Sequence, residues 1–273
     1  MLLLLAITER AAASTQGKAS PGRNTVVIAS GPLKLQAIVH RPDGPGPFPA
    51  VLFNHGSGSL VVPDLQRLGD LFARHGYVFL CVNRRGQGLS SGQGVDSAGV
   101  LDLERGKHGQ DAYNRLQLQL LETDQLSDDS AGLAFLRSLP EVDSHRIAVV
   151  GHSFGGSLAL LLAERDRAVR AVVVFGGAAA SWPRSAPLRA RLLAAVNGIS
   201  VPTLLVYAAN DYSLAAAQAL DAEMSRLARP HELRIYPASG KTAAEGHNLV
   251  FRAPATWEHD VFAFLDEHVR PGP

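Results

Sequence analysis

Residues 151–155 read Gly-His-Ser-Phe-Gly, a G-x-S-x-G pattern. The buried-strand signal "RIAVV" leads into it, and the amphipathic stretch "GGSLALLLAER" leaves it. A serine on so tight a strand-to-helix turn must take strained backbone angles, and side chains two residues to either side would collide. Its hydroxyl is then held clear of the sheet. The N–H of Phe154 opens the following helix and faces the place where negative charge would develop on an attacked carbonyl. This is the chemistry of nucleophilic acyl transfer, with Ser153 as nucleophile; the bland alternative is a structural turn serine.

A serine hydroxyl needs a base, and the base needs an orienting acceptor. On a nucleophile elbow the partners follow in the chain order serine, acid, histidine. Asp211, in "ANDYS", comes just past the strand signal "TLLVYA". His247 is the one histidine between the last strand signal and the last helix signal, in the loop "ASGKTAAEGHNLVF". The competitors fit less well. His259 and His268 fall within the final helix, His231 opens the last strand, and the side chain of His152 should diverge from the elbow. Asp221 and Glu223 read as solvated helix charges. A second oxyanion donor is expected after the third strand, in "NHGSGS", where glycines let a backbone N–H approach substrate. Ser57 is assigned that N–H, with Gly58 next in line, and His55 is read as a ligand of the loop backbone.

These residues need a scaffold that gathers them. "NTVVIAS" and "LKLQAIVH", split by Gly31-Pro32, signal a hairpin. Short apolar runs then read as buried strands: "AVLFNHG", "YVFLCVN", "RIAVVG", "AVRAVVVFG", "VPTLLVYA" and "HELRIYP". Between them lie helical patterns at "DLQRLGDLFARHG", near 110–122 and 124–138, "GGSLALLLAER", "APLRARLLAAV" and "LAAAQALDAEMSRLA"; "ATWEHDVFAFLDEHV" ends the series. The alternation predicts an α/β fold: a mostly parallel, eight-stranded sheet with helices on both faces and an antiparallel N-terminal edge. Chemistry on such sheets sits beyond the carboxyl ends of the strands, which is where the motifs fall.

Composition narrows the field. The chain has 273 residues, 46% hydrophobic and 19% charged, enough for one domain with a substantial core. A formal net charge of +1 gives no electrostatic footprint for nucleic acid. The single cysteine, Cys81, permits no intrachain disulfide or cysteine metal cluster and reads as a small buried hydrophobe. "MLLLLAI" is too short to span a bilayer, although "AAAS" at 11–14 has the character of a cleavage site. Residues 1–23 are therefore expected to be a flexible segment, with a weak or truncated export signal as the alternative. The expected domain is 24–270, soluble, in the cytoplasm by default and with export open if that signal is real.

At this point the chain resembles the α/β-hydrolases, nearest to the dienelactone hydrolase-like group and the catalytic domain of prolyl-oligopeptidase-type peptidases. "FPAVLFNHGSG", "NRRGQGLSSG", "VDSHRIAVVGHSFGG" and the pair "ANDYS" and "EGH" carry the resemblance over roughly residues 24–270. Two departures stand out. Dienelactone hydrolases themselves use a cysteine nucleophile where this chain has Ser153, and Ala208 stands where the family usually has glycine. In the wider family an acidic residue often precedes the Arg-Gly of the second segment; here Asn83 and Arg84 precede Arg85-Gly86, and Arg85 is read as organising its loop.

The resemblance implies a Ser153–His247–Asp211 triad that hydrolyses a small-molecule carboxylic ester through an acyl-enzyme, with no metal or organic cofactor. A small peptidase or amidase is the alternative, and a non-catalytic binding protein on the same fold is the third reading. Loops 57–62, 86–109, 177–187 and 238–251 are expected to line the site. Trp182, Tyr212, Phe154 and Phe251 are candidate apolar walls. The linker after the sixth strand is short, so a minimal cap is expected, and 95–125 is either a lid or a solvated connection.

Overall fold

The computed structural model describes residues 24–58 and 61–270, so the expected N-terminal segment lies outside the described residues. A hairpin opens the fold: β1 (Thr25–Ser30) pairs antiparallel with β2 (Leu33–His40). Then come β3 (Phe48–Asn54), β4 (Val78–Val82), β5 (Val142–His152), β6 (Ala171–Phe175), β7 (Thr203–Ala208) and β8 (His231–Tyr236). The order across the sheet is β1-β2-β4-β3-β5-β6-β7-β8. β2 meets β4 antiparallel, and every pairing from β4 onward to β8 is parallel. The expected eight-stranded α/β sheet with an antiparallel edge is therefore present.

The helices are α1 (Val62–Arg74), α2 (Ser97–Glu122), α3 (Asp124–Ser138), α4 (Phe154–Arg165), α5 (Ala186–Gly198), α6 (Ala215–Arg226), α7 (Ala243–His247), α8 (Leu249–Arg252) and α9 (Pro254–Val269). Period-two alternation sorts each central strand onto two cores. Leu52, Leu80, Val149, Val174 and Leu205 face α3, α4, α5 and α6. Val51, Phe53, Phe79, Val150, Val173 and Val206 face α1, α8 and α9. Burial on both faces explains why these strands read as continuous apolar runs. Among the described residues no helix is long and apolar enough to cross a membrane.

Two expectations need correction. Residues 86–109 are not all loop, because α2 begins at Ser97, where the Asp96 carboxylate accepts from the N–H groups of Ala98 and Gly99. The pattern at 110–122 is the second half of this helix, which breaks helical geometry only at Gly109 (φ 81°, ψ −176°). The segment leading to His247 also carries α7, started by a capping box between Thr242 and Glu245.

Three histidines are buried at the carboxyl edge of the sheet: His55 is 1% exposed, His152 5% and His247 8%. Burial, with the nearby His247 adding to it, pushes His152 down from 6.5 to about 3. Its Nε2–H donates to the backbone carbonyl of His247 at 2.9 Å. A histidine depressed in the folded state contributes stability that is complete above its unfolded value, near 6.5, and is lost as pH falls towards its folded value. Against a His152→Gln variant, the wild type should therefore lose ground below pH 6.5, by about 1.4 kcal/mol per pH unit. Urea unfolding of both proteins across that range measures the difference; parallel curves would show that His152 takes up no proton on unfolding.

Close packing of α3 supplies a second prediction. A Cβ on Gly132 would lie 2.4 Å from Val82 Cγ2, whereas one on Gly106, in exposed helix α2, meets nothing within 4 Å. Gly132→Ala should cost about 1–3 kcal/mol in urea unfolding. Gly106→Ala should stabilise by about 0.5–1 kcal/mol through helix propensity.

Candidate active site

All the candidate residues lie beyond the carboxyl ends of parallel strands, and so at one edge of the sheet. The strand order reverses around β3, which makes a crevice between the ends of β3 and β5. Ser57 follows β3 and Ser153 follows β5.

Ser153 has φ 57° and ψ −117°, a left-handed backbone rare for a residue with a side chain. Its N–H donates to the Phe175 carbonyl at 2.8 Å, which ties the elbow to β6. The flanking glycines answer to close approach. A Cβ on Gly151 would lie 2.1 Å from the Gly155 carbonyl oxygen, and one on Gly155 would lie 1.9 Å from the Asn54 carbonyl oxygen.

Ser153 Oγ is 2.8 Å from His247 Nε2, and His247 Nδ1 is 2.8 Å from Asp211 Oδ1. In the tautomer protonated on Nδ1, His247 donates to Asp211 and accepts the Ser153 hydroxyl. The Asp211 side chain is 1% exposed, and its Oδ1 also accepts the N–H of Tyr212 at 2.6 Å. The structure thus brings together the three residues singled out by chain order. The His152 ring packs against that of His247, with centroids 4.9 Å apart. His231 pairs with Asp221, and His268 packs edge-on to Phe264, both remote from this line.

A cavity of about 80 Å³ opens beside Ser153. Ser57 and Phe154 both line it. Neither backbone N–H donates to another described residue. Ala178, Ser181 and Arg184, from the β6–α5 connection, also line the cavity. So do Tyr113, Gln117 and Leu121, from the second half of α2. Of the aromatic residues expected as walls, Phe154 lines the cavity. Tyr212, half exposed, lies against His247 with centroids 4.9 Å apart. Trp182 is buried in the core, and Phe251 packs on Phe53 and His152.

Under the Ser57 loop lies a buried polar cluster. Arg84 is 0% exposed and is surrounded by Gln125, Asp129, His55 and the Phe154 ring. Burial pushes the Asp129 carboxyl up to about 7, against the pull of the Arg84 guanidinium. Burial, reinforced by the Arg84 charge, holds His55 well below the usual histidine range. His55 Nδ1–H donates to the Gly56 carbonyl at 2.7 Å, so it does bind the loop backbone. Arg85 pairs with Asp124 and Asp128, each at 2.7 Å, and so holds its own loop to α3.

Sequence reasoning passed over Arg84, Gly176, Tyr113 and Gln117. Gly176 directly follows β6 at φ 56°, and a Cβ there would lie 2.8 Å from Asp211 Oδ2 and 3.0 Å from His247 Nδ1. The Gly-Gly pair after a buried strand was the available signal. Arg84 was overshadowed by its neighbour, because nothing local distinguishes a buried arginine from an exposed one.

Comparison with known proteins places this geometry. The solved acylaminoacyl peptidase of Pyrococcus horikoshii superposes with a TM-score of 0.67 at 18% identity, covering 91% of this chain and 42% of that one. A dienelactone hydrolase from Anabaena variabilis gives 0.61 at 20% identity, covering 90% and 97%. Est1E from Butyrivibrio proteoclasticus, solved with ferulic acid bound, gives 0.66 at 17% identity, covering 90% and 100%. At such identities these structures share the α/β-hydrolase fold. In sequence, the quorum-quenching protein AidA of Acinetobacter baumannii (strain MDR-ZJ06) is 28% identical over 148 residues, 54% of this chain and 41% of that protein. A model of the dienelactone hydrolase family matches residues 35–256, most of the chain. The chain therefore belongs to the dienelactone hydrolase family and has the α/β-hydrolase fold, and it spans less than half the length of the acylaminoacyl peptidase and of the quorum-quenching relative.

Proposed function

We propose that the protein is a serine esterase that hydrolyses carboxylic esters with short acyl groups. The observation that carries this reading is the unbroken line from Asp211 through His247 to Ser153, 2.8 Å at each step, ending on a serine in left-handed backbone. A turn serine with only a structural duty has no need of a histidine on its hydroxyl or a buried carboxylate behind that histidine.

The steps follow from that line. Ser153 Oγ attacks the ester carbonyl carbon while its proton passes to His247 Nε2. The carbonyl electron pair moves onto oxygen, and the N–H groups of Phe154 and Ser57 receive that oxyanion. Asp211 holds the imidazole tautomer and balances the charge of the imidazolium. As the carbonyl re-forms, the C–O bond to the leaving alcohol breaks and His247 returns the proton to it. Water then attacks the acyl-enzyme by the same route, which releases the acid and restores Ser153.

Size supports the short acyl group. The cavity of about 80 Å³ is roughly half the ~150 Å³ that accommodates benzene. The quorum-quenching relative leaves the natural ester open, since its name describes an outcome and the match covers 41% of its length.

Ser153→Ala should lower kcat on p-nitrophenyl acetate by roughly four to six orders of magnitude, with folding unchanged by circular dichroism. Asp211→Asn should lower it by about four. A fluorophosphonate probe should label the wild type at Ser153 and not the alanine variant. Full turnover by Ser153→Ala would sink the proposal. Across a panel of p-nitrophenyl esters and aminoacyl amides, kcat/KM should be highest for acetate or propionate and at least about tenfold lower for octanoate, with esters ahead of amides. A preference for octanoate would overturn the pocket assignment, and a preference for amides would turn the reading towards a peptidase.

A further inference from the structure

We propose that Arg84 is the positioning residue of the oxyanion site: its buried guanidinium holds the Gly56–Ser57 peptide so that the Ser57 N–H points at the reacting carbonyl. This inference rests on the serine-esterase reading above and adds a residue that touches neither substrate nor Ser153.

The geometry is specific. Arg84 Nη2 donates to the carbonyls of His55 at 2.8 Å and Gly56 at 3.0 Å. The Gly56 carbonyl also accepts from His55 Nδ1 at 2.7 Å, so two donors grip one oxygen from the core side. In a trans peptide the C=O of one residue and the N–H of the next point in opposite directions. Among the described residues only Gly46-Pro47 is cis, so gripping the Gly56 oxygen from below turns the Ser57 N–H away from Arg84, towards the side where Ser57 lines the cavity. Glycine at 56 leaves that peptide otherwise free to rotate, and the grip removes the freedom.

The guanidinium is itself fixed. Nε donates to Gln125 Oε1 at 2.8 Å, Nη1 faces Asp129 Oδ2 at 3.4 Å, and the Arg84 N–H donates to His55 Nε2 at 3.3 Å. That last bond suits the His55 tautomer that donates from Nδ1 to Gly56. The carbon of the guanidinium lies 5.6 Å from the centre of the Phe154 ring, whose residue supplies the other proposed donor. The same buried cation therefore touches the peptide that carries one proposed donor and the side chain of the residue that carries the other. An N–H that is already aimed loses nothing to reorganisation when charge develops, which is where most of an oxyanion site's effect arises. Lysine could balance Asp129 but could not offer the planar fork that reaches the carbonyls and Gln125 together.

The test uses Arg84→Lys and Arg84→Met, each checked for folding by thermal unfolding and assayed on p-nitrophenyl acetate. The expected result for both is a fall in kcat of about tenfold to a hundredfold, up to the size seen when a donor is deleted, with KM changed less than about threefold. The rate of fluorophosphonate labelling should fall in parallel, because phosphonylation also places charge on the oxyanion site. A residue with only a structural role would lower the amount of folded protein and leave kcat per folded active site, titrated with the probe, unchanged; that result overturns the proposal. So does Arg84→Lys at wild-type kcat, or a loss confined to KM. Should neither variant fold, Gln125→Leu removes the Nε anchor and leaves the pair with Asp129. It should lower kcat by about threefold or more at constant KM, and an unchanged kcat counts against Arg84. A wild type that the probe does not label at Ser153 defeats the esterase reading itself. A labelled wild type with unaffected variants defeats only the role of Arg84.

Discussion

The site depends on one close approach, between the first turn of α4 and the end of β3. The backbone at Gly155 comes so near the Asn54 and His55 carbonyls that a methyl group there would lie 1.9 Å and 2.5 Å from their oxygens. Helix α4 can start at that distance only if the chain turns without side chains, which leaves Ser153 in left-handed backbone at the apex. The same nearness sets Phe154 and Ser57, from segments nearly a hundred residues apart in sequence, against one cavity. A looser turn would relieve the serine and separate the two N–H groups.

The parallel sheet does the rest by simple geometry. Its strands deliver Asp211 and Gly176 to the edge that holds Ser153, and β8 sends the chain back through α7 to bring in His247. Small residues and buried polar groups then adjust the fit. Gly176 makes room between Asp211 and His247, and His152 supports His247 from below through its backbone carbonyl. Such support has a cost in low dielectric: an imidazole is kept neutral and a charged arginine is kept out of water. Arg84 answers that cost by spending each of its donor groups on Gln125, Asp129 or a loop carbonyl.

Much of this was legible in the amino-acid order because it rests on local rules. Period-two burial made the inner strands visible as apolar runs, and the elbow betrayed itself through glycines that close packing demands. Asp211 and His247 could be found because topology puts each just beyond a strand. What local rules do not encode was missed. Arg84 stands beside Arg85 in "NRRGQG", and only the three-dimensional path of the chain sends one into the core and the other to Asp124 and Asp128 on α3. The first half of α2 reads as polar connection because its glycines and charges meet solvent on most sides, so no apolar stripe marks it.

The segment 95–125 divides between a solvated connection and a wall of the cavity, since the two halves of α2 behave differently. Before Gly109 the helix is mostly exposed, with Leu103 facing solvent and Asp102 paired to Arg105 on its own surface. After Gly109 it turns inward. Asn114 Nδ2 donates to the Arg184 carbonyl at 2.7 Å and Gln117 Nε2 to Ser181 Oγ at 3.2 Å, which pins this half to the β6–α5 connection. Tyr113, Gln117 and Leu121 then close the cavity on that side. A glycine outside helical geometry lets one continuous segment serve as surface and as wall, so the short connection after β6 needs no separate domain above it to bound the pocket. The two hydrogen bonds to the β6–α5 connection hold that wall beside Ser153.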